Sequence, residues 1–320
     1  MENILDKLTN LSHIFQLVYG RNPSQDQINV LTHLNQAIPD NDSGSLFRAI
    51  INSFHHQQFN TPFTVRFSKQ DVEYINVQNA QVAIDKMDTS VSMLIRRKEY
   101  EPHLLAFYSQ RLKPGMVVID IGANVGLYSM LAAKKVGKRG KVFSFDPNSE
   151  NCRLILLGIH KNEFKNVSVF PFALGNRTGH VLFSTHIGSN GGLISDSYDS
   201  LLNPSCVIKP IVRLDDIVTE KVDLIKIDVE GAEGLVVEGA KGLIEKYRPI
   251  VTSEFSLEML SRVSNISGKD YLQGFKDMNY SLFIIDKNTY CLDEILDIDK
   301  FIGNFGELSI EDLAFIPHPQ

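Results

Sequence analysis

Cysteine is scarce in this 320-residue chain: Cys152, Cys206 and Cys291 stand far apart, with no CxxC pair. So sparse and odd a set builds neither a disulfide framework nor a thiolate zinc site, and it reads as reduced thiols in a cytoplasmic protein. Positive charge is not in excess either, since 32 basic residues against 38 acidic ones leave a net charge of −6. A large nucleic-acid footprint needs clustered Lys and Arg, so a nucleic-acid partner is disfavoured, although the total is compatible with a local basic cleft. No window approaches 18 continuous apolar residues, which leaves nothing to span a membrane. The opening MENILDKLTN has no basic segment leading into an apolar core, so no signal peptide is expected. Internal repeats and low-complexity tracts are missing too. What is present is 43% apolar and 22% charged residues, the balance of a globular protein with material for one large domain or a domain with an appendage.

Three zones follow. In residues 1–60, Ile4, Leu5, Leu8, Leu11, Ile14, Phe15 and Val18 recur at helical spacing. Ser24 is placed to cap a second helix through Leu34, and a third covers Leu46 to Phe54. A small all-α N-terminal domain is therefore expected. Residues 61–98 form a β-hairpin and linker, in which Phe63, Val65, Phe67, Tyr74, Ile75, Val77, Val82 and Ile84 alternate in the strand manner. From residue 99 to 320 short apolar runs at 117–121, 141–145, 167–171, 222–227 and 249–254 alternate with helical segments at 126–136, at 149–162 and after Gly231. That alternation predicts an α/β fold, a doubly wound, mostly parallel sheet with both faces covered. At the tail, Tyr280–Ile285 and Leu313–Ile316 read as a closing antiparallel hairpin, and 172–221 holds a further strand pair.

The segment VVIDIGANVGLYS, Val117 to Ser129, carries the first functional signal. A strand runs out at Asp120; Gly122 and Gly126 then open a turn into a helix whose free N–H groups and positive end favour an anion. Gly122 can take backbone angles closed to other residues, and the missing side chains read as room for a ligand against the backbone. A dinucleotide site wants G-x-G-x-x-G, whereas the spacing here is D-x-G-x-x-x-G. An amino-acid ammonium and carboxylate suit an acid beside glycines better, and S-adenosylmethionine carries both. The second strand ends at Asp146, where an acid accepts hydrogen bonds from ribose hydroxyls.

With these residues in hand, the chain resembles the FkbM family of S-adenosylmethionine-dependent methyltransferases. The likeness runs from about Tyr100 to the C-terminus and rests on YEPHLLAFYSQRLKPGMVVIDIGANVGLYS, VFSFDPN, FALGN, VRLDDI and DLIKIDVEGAE, in that order. It implies the class I methyltransferase fold, a seven-stranded sheet ending in an antiparallel hairpin, and O-methylation of hydroxyls on sugars or polyketides. Carried over by residue, it implies that Asp120, Gly122, Asn124 and Gly126 line the methionine moiety and Asp146 the ribose. Phe172, Ala173 and Leu174 would lie along the adenine. Glu101 resembles the family's acid ahead of the first helix; it either closes over the cofactor or caps that helix. The N-terminal FQLVYGRNPSQDQINVLTHL resembles a small helical domain attached to bacterial polysaccharide enzymes, which directs the acceptor expectation towards glycans.

For the chemistry, IKIDVEG places Asp228 and Glu230 where the fourth strand runs out beside the first. Methyl transfer needs an acceptor oxygen held in line with the methyl, and a base for its proton. Asp228 or Glu230 is that base, and Lys226 holds the acid or polarises the oxygen; the alternative is a buried salt bridge. Glu254, at the end of the fifth strand, either shares Mg²⁺ with Asp228, pairs with Lys226 or caps the next helix. His186 reads as a solvated loop residue, His55 and His56 as surface, and Gly188–Gly192 as a substrate lid or a plain connection. Three other functions stay open at this level: a nucleic-acid methyltransferase on the same fold, an NAD-linked oxidoreductase, and a partner-binding protein with a degenerate methyltransferase domain whose N-terminal helices make the contact.

Overall fold

The computed structural model describes residues 71–185, 191–194, 206–306 and 308–319. The helical expectation for 1–60, the strand residues Phe63, Val65 and Phe67, and His55, His56, His186 and Gly188–Asn190 all lie outside them. Nearly all the described residues belong to one compact unit, Phe67–Asp215 with Lys221–Gln320.

Strands β1 (Val72–Val77) and β2 (Ala80–Asp85) pair antiparallel. Gln78 and Asn79, both at positive φ (48° and 67°), make the two-residue turn whose twist matches the strands. Residues Ala80, Val82, Ala83 and Ile84 of β2 have no solvent exposure. Helices α1 (Val91–Arg97) and α2 (Pro102–Arg111) follow. Next come β3 (Val117–Ile121), α3 (Leu127–Val136), β4 (Lys141–Phe145), α4 (Ser149–Asn162) and β5 (Val167–Phe170). Asn162 of α4 exchanges two hydrogen bonds with the Gln81 backbone, at 2.8 and 2.6 Å. The hairpin set apart as a linker by sequence thus belongs to the same compact unit as the α/β sheet.

A second, four-stranded sheet lies between β5 and the next core strand in sequence. It contains β6 (Ala173–Leu174), β7 (Gly179–Thr185), β8 (Gly191–Ile194) and β9 (Cys206–Val212), in the order β6-β9-β7-β8. The main sheet resumes with β10 (Leu224–Ile227), then α5 (Glu233–Gly239), α6 (Lys241–Tyr247) and β11 (Ile250–Phe255). It finishes with α7 (Leu257–Val263), α8 (Gly268–Asp277), β12 (Tyr280–Ile285), β13 (Leu292–Glu294), α9 (Ile298–Asn304) and β14 (Glu311–Pro317).

The main sheet has the order β13-β12-β14-β11-β10-β3-β4-β5. Pairs β5-β4-β3-β10-β11 are parallel, and β14 enters antiparallel between β11 and β12. Seven strands were expected, and the eighth, β13, is a three-residue edge strand against β12. The expected pairing of 280–285 with the tail is present, with Tyr280 opposite Pro317. Strands with both faces covered are largely apolar, which is why VVIDI, KVFSF and LIKI read as near-continuous apolar runs broken only by Asp120, Ser144 and the lysines. Because β3 is followed by β4 on one side and flanked by β10 on the other, the strand order reverses at the β3/β10 seam. A crevice opens there, at the strands' carboxyl ends.

Candidate active site

The crevice is a cavity of about 400 Å³, within the range that small-molecule sites occupy. Its base is the turn after β3. Gly122 takes φ +74°, and a Cβ there would sit 1.7 Å from the Asp228 carbonyl oxygen. The Gly122 and Ala123 N–H groups donate to the Phe145 carbonyl at 2.9 and 3.0 Å. Gly126, at φ +85°, has its missing Cβ aimed at Ile155, 2.8 Å away. Gly122 has the backbone angles expected of it, and both glycines are also demanded by chain packing, against the residue after β10 and against α4 respectively; the expectation that they clear space for a ligand needs that correction. Gly122 still contributes to the cavity wall, and Gly126 does not.

The two strand-end acids differ in placement. Asp146 lies on the wall. Its Oδ2 accepts from the Asn124 N–H at 2.7 Å and from Asn151 at 3.2 Å, and its Oδ1 accepts from the Asn148 N–H at 2.7 Å. Burial pushes its pKa up to about 7 despite those bonds. Asp120 lies behind the wall, 1% exposed, with its Oδ2 bonded to the Ser129 hydroxyl at 2.5 Å. Its Oδ1 is buried without a hydrogen-bond partner. Asp120 is thus not among the residues that line the cavity, where the resemblance implied that it lines the methionine moiety.

Phe172, Ala173 and Leu174 line the cavity beyond Asp146, with Phe145 and with Val91 and Leu94 of α1. Glu101 and Tyr100 line it as well. Glu101 occupies the N-cap of α2 in a left-handed conformation (φ 43°, ψ 56°) and makes no side-chain cap bond. It instead accepts the Tyr128 hydroxyl proton at 2.5 Å. The capping alternative for Glu101 is thereby corrected. Asn124 also faces the cavity.

Opposite stand Asp228, Glu230 and Glu254. Lys226, 5% exposed and just behind them, reaches Asp228 Oδ2 at 2.8 Å and lies beside Asp120 in register. Burial alone would lower the pKa of its ammonium, but Asp228, Asp120 and Glu101 outweigh burial and raise it above the ordinary lysine range. Glu230 sits in a left-handed turn (φ 55°), with its pKa raised by burial and then by Asp228. Glu233 fixes that turn by accepting the Val229 and Gly231 N–H groups at 3.0 and 3.2 Å. The Glu254 pKa is pushed up to about 10 by burial, then by Asp228 and Glu230. Glu101 rises to about 7, through burial and Asp228, with Lys226 opposing.

The Mg²⁺ expectation finds no support in this donor set. Asp228 and Glu254 both reach the cavity, yet Lys226 occupies Asp228 Oδ2. Among the described residues no group of three or more His, Cys, Asp or Glu side chains could hold a metal ion. The three cysteines are free. Among the described residues no helix is long and apolar enough to cross a membrane.

Sequence reasoning missed several wall residues. Tyr100 lies inside a motif already singled out, but nothing in its spacing marks it. Phe183 and Leu193 arrive from the second sheet, together with Gly191 and Gly192 of the glycine cluster already singled out as lid or connection, and a Cβ on Gly192 would lie 3.5 Å from the Glu230 Cβ. Only the tertiary fold brings that strand here.

Residues 120–304 match the family model described as the methyltransferase FkbM domain. A curated relative, the AMB antimetabolite synthetase AmbE of Pseudomonas aeruginosa, is 27% identical over 178 residues, 44% of this chain and 8% of that protein. Among solved structures, methyltransferase FkbM from Methylobacillus flagellatus KT is 15% identical with a TM-score of 0.39, over 91% of this chain and 59% of its own. An S-adenosylmethionine-dependent O-methyltransferase from Thermotoga maritima is 13% identical with a TM-score of 0.38, over 78% of each chain. The chain thus spans 8% of the length of the curated relative and 59% of the first of these structures.

Proposed function

The chain belongs to the FkbM family of S-adenosylmethionine-dependent class I methyltransferases, and on that premise we propose that it methylates a hydroxyl oxygen on a sugar, a glycan or a secondary metabolite. The observation that carries this reading is the division of one cavity into two chemistries. Asp146 and an apolar slot stand at one side; Asp228, Glu230 and Glu254 stand at the other.

The first side fits an adenosyl group. A carboxylate has about four acceptor positions, and chain donors engage Asp146 three times, so it keeps capacity for a ribose hydroxyl. Phe172, Ala173 and Leu174 would flank the adenine, and Gly122, Asn124 and Glu101 the methionine portion. When bound, S-adenosylmethionine supplies a methyl group on a positively charged sulfur.

On the second side, Asp228 is engaged by Lys226, while no hydrogen bond among the described residues engages the Glu230 carboxylate. Glu230 is accordingly the base that takes the acceptor's proton, its raised pKa bringing it nearer to neutral pH. Glu254, protonated at neutral pH, donates a hydrogen bond to the acceptor, and the Lys226–Asp228 pair fixes the wall between them. Holding the oxygen in line supplies most of the acceleration, up to ~7–11 kcal/mol in well-oriented cases.

The test is incubation with methyl-labelled donor against a panel of glycans and polyketide alcohols, with Mg²⁺ or with EDTA. Label entering an alkali-stable methyl ether, lost in Glu230→Gln, supports the reading. Label appearing only on nitrogen or carbon of an acceptor would refute O-methylation. Activity abolished by EDTA and restored by Mg²⁺ would refute the metal-free assignment of Glu230 and Glu254.

A further inference from the structure

We propose that Tyr128 is a positioning residue that holds the Glu101 carboxylate on the cavity wall for contact with the methyl donor. The proposal rests on the donor-site reading above and assigns to it a residue that does not itself line the cavity.

Tyr128 lies in the first turn of α3 and is 6% exposed. Its hydroxyl donates to Glu101 Oε2 at 2.5 Å, the short distance of a bond to a carboxylate. The ring is fixed independently of that bond. Tyr108 packs against it with centroids 5.0 Å apart, and the Lys226 ammonium lies 5.2 Å from its centroid. Tyr108 is in turn anchored to β11 through a hydrogen bond with Thr252.

Glu101 has no comparable anchor of its own. A helix-capping bond would ordinarily fix an N-cap side chain, and Glu101 makes none. Its backbone is left-handed (φ 43°), a conformation disfavoured for a residue with a Cβ. Tyr100 also hydrogen-bonds it, but Tyr100 belongs to the same connecting segment and the same wall. Tyr128 alone of the two joins Glu101 to a helix packed on the main sheet. The charged and titratable groups facing Glu101 are Asp228 and Lys226 from β10 and its end, Asp312 from β14, Tyr100 and Tyr128.

The experiment is calorimetric titration of the full chain with S-adenosylhomocysteine, which needs no acceptor. Four proteins are compared at pH 8: wild type, Tyr128→Phe, Glu101→Ala and the double variant. Phenylalanine keeps the ring contacts and removes only the donated proton. Tyr128→Phe should weaken binding ~10-fold, the lower end for a hydrogen bond to a charged group, and should change affinity less than about twofold once Glu101 is alanine. Affinity should also be followed from pH 5.5 to 9. Burial places Glu101 near 7 and the Tyr128 bond lowers it, so the Glu101-dependent loss on acidification should begin at higher pH in Tyr128→Phe. Asp146, also near 7, titrates in all four proteins, and subtracting the Glu101→Ala curve removes it. Should the alanine variant unfold, Glu101→Gln takes its place, with the Tyr128→Phe effect then expected to fall to less than half. An equal loss with and without Glu101, or a pH limb that stays in place, overturns the positioning role. Wild type that fails to bind S-adenosylhomocysteine overturns the donor site and this proposal together; tight binding unchanged in Tyr128→Phe overturns this proposal alone.

Discussion

Replacing Lys226 by methionine removes one buried cation from among several buried acids while keeping a side chain of similar length. Its ammonium is 2.8 Å from Asp228 Oδ2, beside Asp120 in the neighbouring strand and 5.2 Å from the Tyr128 ring centre. Breaking a buried pair by removing one partner costs about 3–5 kcal/mol, because the other charge stays buried and uncompensated. For a domain of 150–250 residues that is about 6–20 °C in melting temperature, at ~2–4 °C per kcal/mol. The pH dependence separates this cause from simple loss of packing. Folding raises the Lys226 pKa, so its stabilisation is full below the unfolded lysine value of about 10.4 and fades only as pH rises through the folded value. Asp120 and Glu101 also have raised folded pKa values. Their penalty is absent below about pH 4, where both states are protonated, and grows with pH. Without Lys226 it should grow further, so the deficit in Lys226→Met should widen from pH 5 to pH 9. Thermal scans across that range are the assay, with Asp228→Asn added to recover part of the loss. A variant melting within about 2 °C of wild type, or a deficit that narrows as pH rises, would refute the reasoning.

Three further outcomes follow from the same geometry. Gly122→Ala should lose about 2–5 kcal/mol in denaturant unfolding, because the left-handed φ and the Asp228 carbonyl both oppose a Cβ; near-wild-type stability would mean the turn can shift. Glu230→Gln should lower kcat by about 10²–10⁴ with little change in donor KM, and flatten the rise in rate as pH passes the raised Glu230 value; an unchanged pH profile would move the base elsewhere. Glu254→Gln should raise the melting temperature at pH 8 and leave it unaltered at pH 4. With a folded pKa of about 10, Glu254 contributes a penalty that is absent below its unfolded value and builds as pH climbs towards 10.

The parallel core was legible because strands covered on both faces are largely apolar. Strand β3 was read to its residue bounds, and β10 and β11 within two residues. β13 was not, since three residues, Leu292–Glu294, carry no period. Among the candidate residues, those at strand ends (Asp146, Asp228, Glu230 and Glu254) could be placed on one rim because a parallel sheet aligns its carboxyl ends. Whether an acid faces the rim or the interior depends on what packs beside it. Asp120 precedes the last residue of β3, and its carboxylate turns to Ser129 of α3. The glycines were legible as obligatory, and the left-handed φ of Gly122 was anticipated, but a sequence marks a missing Cβ without saying what occupies its place. The wall from β8 depends on a second sheet whose strands are joined by 172–221, and no local pattern fixes where such a sheet docks.

The central claim is that the slot beside Asp146 takes the adenosyl half of the methyl donor. Calorimetry with S-adenosylmethionine on wild type and on Asp146→Asn, each checked for an intact thermal transition, addresses it most directly. Wild type should bind saturably, and the asparagine protein at least ~10-fold more weakly, as expected when hydrogen bonds to a charged acceptor are lost. Equal affinity in the two folded proteins would contradict the account.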